Sequence, residues 1–229
     1  MGGVSYRNVR DKRPCVFAYK LLPFRILCVL GVSAMNNPGW KPVFHRMPSM
    51  TLIDFANWLV SSLRRRLVMG VLNVTPDSFS DGGRFVDAGA AVDRGAEMVA
   101  EGADWIDVGG ESTRPGSQPV GPEEQIARVV PVIRGLRDRT DVVISIDTGL
   151  GAVAEAAMDS GANVINDIYA GTLDPGVFEV AARRGAGVIL THMQGRPANM
   201  QENPQYGDVT AEVIAFLRER VSAATAAGI

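Results

Sequence analysis

After residue 66 one pattern returns five times: a short apolar run, a polar residue at its end, a turn, and an amphipathic helix. The runs at 67–72, 104–108, 142–146, 163–165 and 187–190 are of strand length, and most are rich in Val and Ile. The helices between them are read at 86–101, from Pro122 through Leu136, at 152–160, at 173–184 and at 209–227. Pro122 suits a first helical turn, and Pro131 is expected to kink the second helix. Strand and helix in strict alternation imply a parallel sheet with right-handed crossovers. Each strand ends in a polar residue, giving the set Asn73, Asp107, Asp147, Asn166 and His192. The carboxyl ends of parallel strands are where α/β enzymes place their chemistry.

The expected fold class is therefore α/β, of the (β/α)8 barrel type. A doubly wound sheet is less suited, because Gly82 and Gly83 lie too deep in the first loop for a phosphate-binding fingerprint. Eight units usually need about 250 residues. Here five units fill 67–229, and five cannot close a barrel. The expectation is an incomplete barrel domain, truncated on its C-terminal side, with open strand edges.

Bulk properties exclude several classes. A formal charge of −2 provides no basic footprint for nucleic acid or an anionic membrane. No stretch of eighteen uncharged apolar residues exists, so no transmembrane helix is expected. The two cysteines, Cys15 and Cys28, precede the repeating region, which excludes a thiol nucleophile and a cysteine zinc site within it. Two histidines, His45 and His192, are too few for a multi-histidine metal centre.

Residues 1–66 differ from the rest. Up to Pro48 they carry eight Lys and Arg against the single acid Asp11. A targeting segment, a poorly ordered tail and upstream sequence from an early start site are the three readings, with Met50 and Met69 as later starts. Residues 51–66 read as a helix capped by Thr51, with Leu52, Phe55, Leu59 and Leu63 on one face, placed to plug or flank the barrel base.

The polar strand ends converge on one mouth if the barrel reading holds. A carboxylate there accepts two N–H bonds side by side, and an amide both gives and takes. Such a set suits a flat heterocycle; a pterin and a purine edge both satisfy it. The competing roles are a helix cap for Asp147 and a turn for Asn166.

Five motifs decide between the ligands by resemblance. NVTPDSFSDGG at 73–83, DVGGESTRPG at 107–116, ISIDT at 144–148, NDI at 166–168 and HMQGRPANMQ at 192–201 closely resemble the dihydropteroate synthase family of folate biosynthesis. The resemblance implies condensation of 6-hydroxymethyl-7,8-dihydropterin diphosphate with p-aminobenzoate, in a cytoplasmic enzyme that pairs as a homodimer. It implies Mg2+ as cofactor, with Asn73 at the family's magnesium and pyrophosphate position, an amide oxygen being a hard ligand. It implies Asp107, Asp147, Asn166 and Met193 as pterin-pocket residues. It also implies two loops, 75–79 and 112–116, carrying Asp77, Phe79, Thr113 and Arg114. Arg114 and Thr113 suit the diphosphate, Phe79 offers an aromatic wall, and Asp77 and Arg114 are opposite charges on adjacent loops. His192 is expected to shape the pocket floor with Met193 rather than shuttle protons.

The sequence departs from the family in two ways. It ends before the family's DPG-type strand end, SRK motif and arginine–histidine segment, so the chain alone is expected to be nearly inactive. Residues Thr148, Gly149, Leu150 and Gly151 are glycine-rich where the family often carries a basic or bulky residue. A pterin-binding methyltransferase domain and a non-catalytic pterin-binding fragment are the alternatives.

Overall fold

A computed structural model describes residues 26–28, 51–61, 66–75, 87–111, 119–197, 199–200 and 203–229. Its centre is a wholly parallel sheet of six strands in the order β1-β6-β5-β4-β3-β2. The strands are β1 (Ile26–Cys28), β2 (Met69–Asn73), β3 (Trp105–Gly109), β4 (Val143–Asp147), β5 (Val164–Asp167) and β6 (Gly187–Leu190). The helices are α1 (Leu52–Val60), α2 (Ala88–Ala100), α3 (Pro122–Arg137), α4 (Gly151–Asp159), α5 (Gly176–Arg184) and α6 (Val209–Ala226). Strands β2 to β6 are the five expected from the sequence, each followed by its helix.

The two faces of the sheet are packed differently, and this separates a barrel from a doubly wound fold. Leu72, Ile106, Val108, Ile144, Ile146, Ile165, Val188 and Leu190 face α2 to α6 in one apolar core. The other face has its own small cluster of Phe55, Trp105, Val143, Val164 and Ile189, with Trp58, Leu59 and Leu67 against it. All five helices α2 to α6 thus lie on one side, as in the wall of a barrel, whereas a doubly wound sheet carries helices on both.

Helix α1 fills the base of the inner face. Thr51 Oγ1 accepts from the Asp54 N–H at 3.2 Å, and Asp54 Oδ2 accepts from the Thr51 N–H at 3.1 Å, a reciprocal cap. Phe55 meets Trp105 edge-to-face with ring centroids 5.1 Å apart. The expected cap and base-plugging role are thus found. The helix is shorter than 51–66, because Ser61 turns to extended backbone at ψ 142°.

A second piece of the N-terminal segment also joins the sheet. β1 pairs in parallel with β6, Ile26 opposite Val188 and Cys28 opposite Leu190. The sheet therefore holds six strands, and the β6 edge that was expected to be unpaired has a neighbour.

Register is set at the amino ends of the strands. The Asp104 N–H donates to Val68 O and Asp104 Oδ2 accepts from the Val68 N–H, both at 2.8 Å, which locks β2 to β3. Arg137 at the end of α3 donates to Gly161 O at 2.8 Å, Val142 O at 2.9 Å and Asn163 Oδ1 at 2.8 Å. Asn163 Oδ1 also accepts from the Ile144 N–H at 3.1 Å, so one guanidinium ties α3, β4 and the turn before β5. The start of one helix also shifts from expectation. α5 begins at Gly176 rather than 173, because Asp174 Oδ1 takes the Gly176 N–H and Oδ2 takes the Gly151 N–H of α4.

Arg137→Ala strands three partly buried acceptors and is expected to lower stability by about 2–4 kcal/mol. Arg137→Lys recovers only part of it, since an ammonium cannot reach the acceptors before both β4 and β5 as the planar fork does. Urea unfolding followed by Trp fluorescence checks both values.

Candidate active site

The strand register converts the polar strand ends into one row. Asn73 lies opposite Gly109, Gly109 opposite Asp147, and Asp147 opposite Asn166. Alternation along a strand puts this row on the inner face, above the layer of Val71, Asp107, Ser145 and Val164. Gly109 stands between Asn73 and Asp147: a Cβ there would make ordinary contacts, 3.4 Å from Asn73 Oδ1 and 3.7 Å from Asp147 Oδ2. Three of the expected groups therefore lie in one row across four strands.

Asp107 lies one layer below and is buried. Its Oδ1 accepts from the Ser145 hydroxyl and its Oδ2 from Asn166 Nδ2 at 3.0 Å. The carboxylate thus holds the Asn166 amide with its NH2 turned inward, which leaves the amide oxygen as the group to be offered elsewhere. Burial raises the Asp107 pKa, opposed by the hydrogen bonds from Ser145 and Asn166. Asp147 stands differently. Burial first, then the charges of Asp107, Asp167 and Glu111, push its carboxyl well above the usual carboxylate range.

The alternative roles for these residues do not hold. Asp147 does not cap α4: Leu150 occupies that position without a side-chain bond, and Thr148 Oγ1 takes the Leu150 N–H at 3.2 Å. Asn166 does not build the following turn. Its neighbour Asp167 does, accepting the Tyr169 N–H at 2.9 Å and the Gly171 N–H at 2.6 Å. This turn contains Ala170 at φ 50° and Gly171 at φ 74°. A Cβ at Gly171 would lie 2.5 Å from the Phe178 ring, so glycine is required for space as well as conformation.

Asp167 was passed over in the sequence, where it reads as one more polar strand end. Gln125 and Ser145 were missed too, one inside a helix and one inside a strand, and both are buried. Only the polar residue breaking an otherwise apolar face could have marked them. The glycine-rich 148–151 segment also finds its cause. A Cβ at Gly149 would lie 2.6 Å from the Tyr169 ring, and one at Gly151 would lie 3.0 Å from the Gly176 backbone. Tyr169 occupies the space that a longer residue at 149 would need.

Met193 is half-buried in the loop leaving β6. His192 packs against Tyr206 and Phe216, with ring centroids 5.9 and 5.0 Å away. Burial lowers its pKa. His192 thus packs toward α6. Asp77, Phe79, Thr113 and Arg114 lie outside the described residues.

Comparison with known proteins follows the same site. A family profile described as "Pterin binding enzyme" matches residues 69–229. The chain belongs to the pterin-binding enzyme family. Dihydropteroate synthase of Escherichia coli (strain K12) is 46% identical over 175 residues, 76% of this chain and 62% of that protein. The synthase of Synechocystis is 43% identical over 166 residues, 72% of this chain and 57% of that one. Among solved structures, Yersinia pestis dihydropteroate synthase with a sulfonamide drug complex superposes with a TM-score of 0.67 at 46% identity, covering 72% of this chain and 60% of that one. The synthase of Xanthomonas albilineans with 4-aminobenzoic acid gives 0.65 at 47%, covering 72% and 58%. The chain thus spans about 60% of the length of these relatives. Among the described residues no helix is long and apolar enough to cross a membrane.

Within this fold Asp167 gives a stability test. Burial raises its pKa to about 6, against backbone N–H groups of Gly171, Tyr169 and Ala170 that pull it down. A carboxyl raised above its unfolded value stabilises the fold most when protonated. Its contribution is fully present below about pH 4 and is lost as pH rises through about 6. The loss approaches about 3 kcal/mol. Asp167→Asn is expected to flatten this slope while lowering stability at every pH, because its NH2 faces a backbone N–H. Urea midpoints across that pH range check both effects.

Proposed function

We propose that this chain carries the pterin-binding half of a dihydropteroate synthase site, joining 6-hydroxymethyl-7,8-dihydropterin diphosphate to p-aminobenzoate. The observation that carries the reading is the row Asn73, Asp147 and Asn166 on the inner mouth, braced by Asp107 from beneath. Asp147 receives the paired N–H groups of the pterin ring, and the Asn166 amide oxygen accepts a further one. The names of the relatives support the same chemistry: the synthase of Xanthomonas albilineans is solved with 4-aminobenzoic acid and, separately, with 7,8-dihydropteroate.

In the reaction the aromatic amine nitrogen attacks the pterin methylene. A C–N bond forms, the C–O bond to the diphosphate breaks, and the amine loses a proton to solvent. The amine is neutral at pH 7, so no strong base is required. The Asp147 carboxylate, paired to the ring N–H groups, stabilises the positive charge that grows on the pterin as the diphosphate departs. Arg114 and Thr113 are assigned to the diphosphate, Phe79 to the aminobenzoate ring, and Asp77 to the loop that faces Arg114. Met193 borders the pterin.

Asn73 is the candidate Mg2+ ligand. It lies on the mouth row, opposite Gly109 of β3. One hard oxygen suits a cation that fills its remaining positions with water and diphosphate oxygens. Mg2+ bound there would supply positive charge to the leaving group. The reading extends to a cytoplasmic location and a homodimer.

Calorimetric titration with the dihydropterin diphosphate and Mg2+ tests the site directly. Asp147→Ala is expected to weaken binding by about 100-fold or more, as a lost charge-assisted pair does. Wild-type affinity is expected to fall as pH drops, because the ligand needs the ionised carboxylate and the free site favours the protonated one. Asp147→Asn loses that dependence. Unchanged affinity in the alanine variant would remove Asp147 from the pocket. Release of diphosphate on adding p-aminobenzoate tests turnover.

A further inference from the structure

Ser145 puts a hydroxyl at the centre of a strand that is otherwise apolar. Its neighbours Ile144 and Ile146 pack into the helix-covered core, and Val143, two residues back, joins the inner cluster. Ser145 itself is 0% exposed. A hydroxyl sealed from water costs stability unless it is bonded. This one donates to Asp107 Oδ1, and the register sets the two residues directly opposite each other on β3 and β4.

The bond decides more than its own cost. Asp107 Oδ2 accepts from Asn166 Nδ2 at 3.0 Å. Turned over, the amide would set its oxygen against a carboxylate oxygen at that distance, two acceptors with no proton between them. The amide is locked only while Asp107 is an acceptor at both oxygens. A buried carboxyl with one bare oxygen tends to keep a proton, and a protonated carboxyl can donate to an amide oxygen as well as accept from an NH2. By filling Oδ1 with a donor, Ser145 removes that second arrangement. Asn166 is half-buried and stands beside Asp147 on the mouth row, so the end of its amide turned away from Asp107 is the end it offers there.

We infer that Ser145 is a positioning residue: acting through Asp107, it fixes which end of the Asn166 amide faces the mouth, and so makes the mouth select a ring that presents an N–H, rather than a bare ring nitrogen, at that point. The inference rests on the functional reading above for the ring, and on geometry alone for the lock. The donors of a 7,8-dihydropterin are its 2-amino group, N3–H and N8–H. With the adjacent first two paired to Asp147, N8–H is the one left for Asn166. An oxidised pterin has a bare nitrogen in its place.

NMR of the 15N-labelled full chain reads the lock without any ligand. In Ser145→Ala the side-chain amide protons of Asn166 are expected to exchange with water at least about tenfold faster, with the backbone amides of Ile146 and Ile165 within about twofold of wild type. Equal acceleration at all three residues would show a merely structural role, and unchanged exchange at Asn166 would remove the lock. Asp107→Asn supplies an independent arm, because it reverses the polarity instead of releasing it. The new amide takes the Ser145 proton on its oxygen and donates from its NH2 to Asn166 Oδ1, which turns the Asn166 NH2 to the mouth. The opposite setting would cost the Ser145 proton its acceptor. Calorimetric titrations with 6-hydroxymethyl-7,8-dihydropterin and with 6-hydroxymethylpterin then give a ratio of affinities, from which a general loosening of the pocket cancels. Asp107→Asn should move that ratio toward the oxidised ring by about tenfold or more, and Ser145→Ala should move it the same way by about threefold or more. An unchanged ratio in either variant overturns the selection. A wild-type chain that binds neither compound overturns the functional reading, while exchange at Asn166 still decides the lock.

Discussion

A carboxylate sealed inside a sheet has to be paired, and the pairing of Asp107 fixes the rest of the site. Its two oxygens are taken by Ser145 on β4 and Asn166 on β5. An unpaired charge at that depth would cost several kcal/mol, about as much as a domain can lose. The sequence can therefore fold only with β3, β4 and β5 in the register that brings those three side chains together. A slip of one residue would turn every one of them into the helix-packed core. The same register lifts Asn73, Asp147 and the Asn166 amide oxygen to the layer above. The structural requirement and the site are consequences of one alignment.

The two faces of the sheet then divide the work. On the outer face, Leu72, Val108, Ile146, Ile165 and Val188 alternate out of register with the polar row and bury themselves under α2 to α6. On the inner face the core is thin, so Phe55 of α1 and Trp105 of β3 close the base. This leaves the upper layer free to be polar. Glycine at 110 lets the chain leaving β3 lie against α3.

Much of this was legible in the sequence, for a physical reason. A strand buried on both faces must be apolar along its length, so a polar residue at its carboxyl end stands out by contrast; Asn73, Asp147 and Asn166 were found that way. Asp107 was legible less clearly, because its position inside the strand is explained only by partners 38 and 59 residues away. Gln125 was hidden because it sits among helical polar residues of which most are solvated, and only its spacing from Val129 and Val132 on the buried face marks it. The pairing of Ile26–Cys28 with β6 depends on contacts across more than 150 residues, and the broken apolar patch around it offered no period to read.

The acids around the mouth carry the last step of the argument. Asp107, Asp147, Asp167 and Glu111 lie close enough to raise the Asp147 pKa together, although the chain as a whole carries a formal charge of only −2. Their costs are not equally met. Asp107 has Ser145 and Asn166, Asp167 has backbone N–H groups, and Glu111 has Gln125 and Val120. Burial and like charge act most strongly on Asp147, the one acid on the open mouth row. A fold retains such a poorly compensated carboxyl at a site where the compensating donors arrive from outside. In the proposed function a flat ring presenting adjacent N–H groups would supply them, and the free energy lost in holding Asp147 without a ligand would return as affinity when that ring binds.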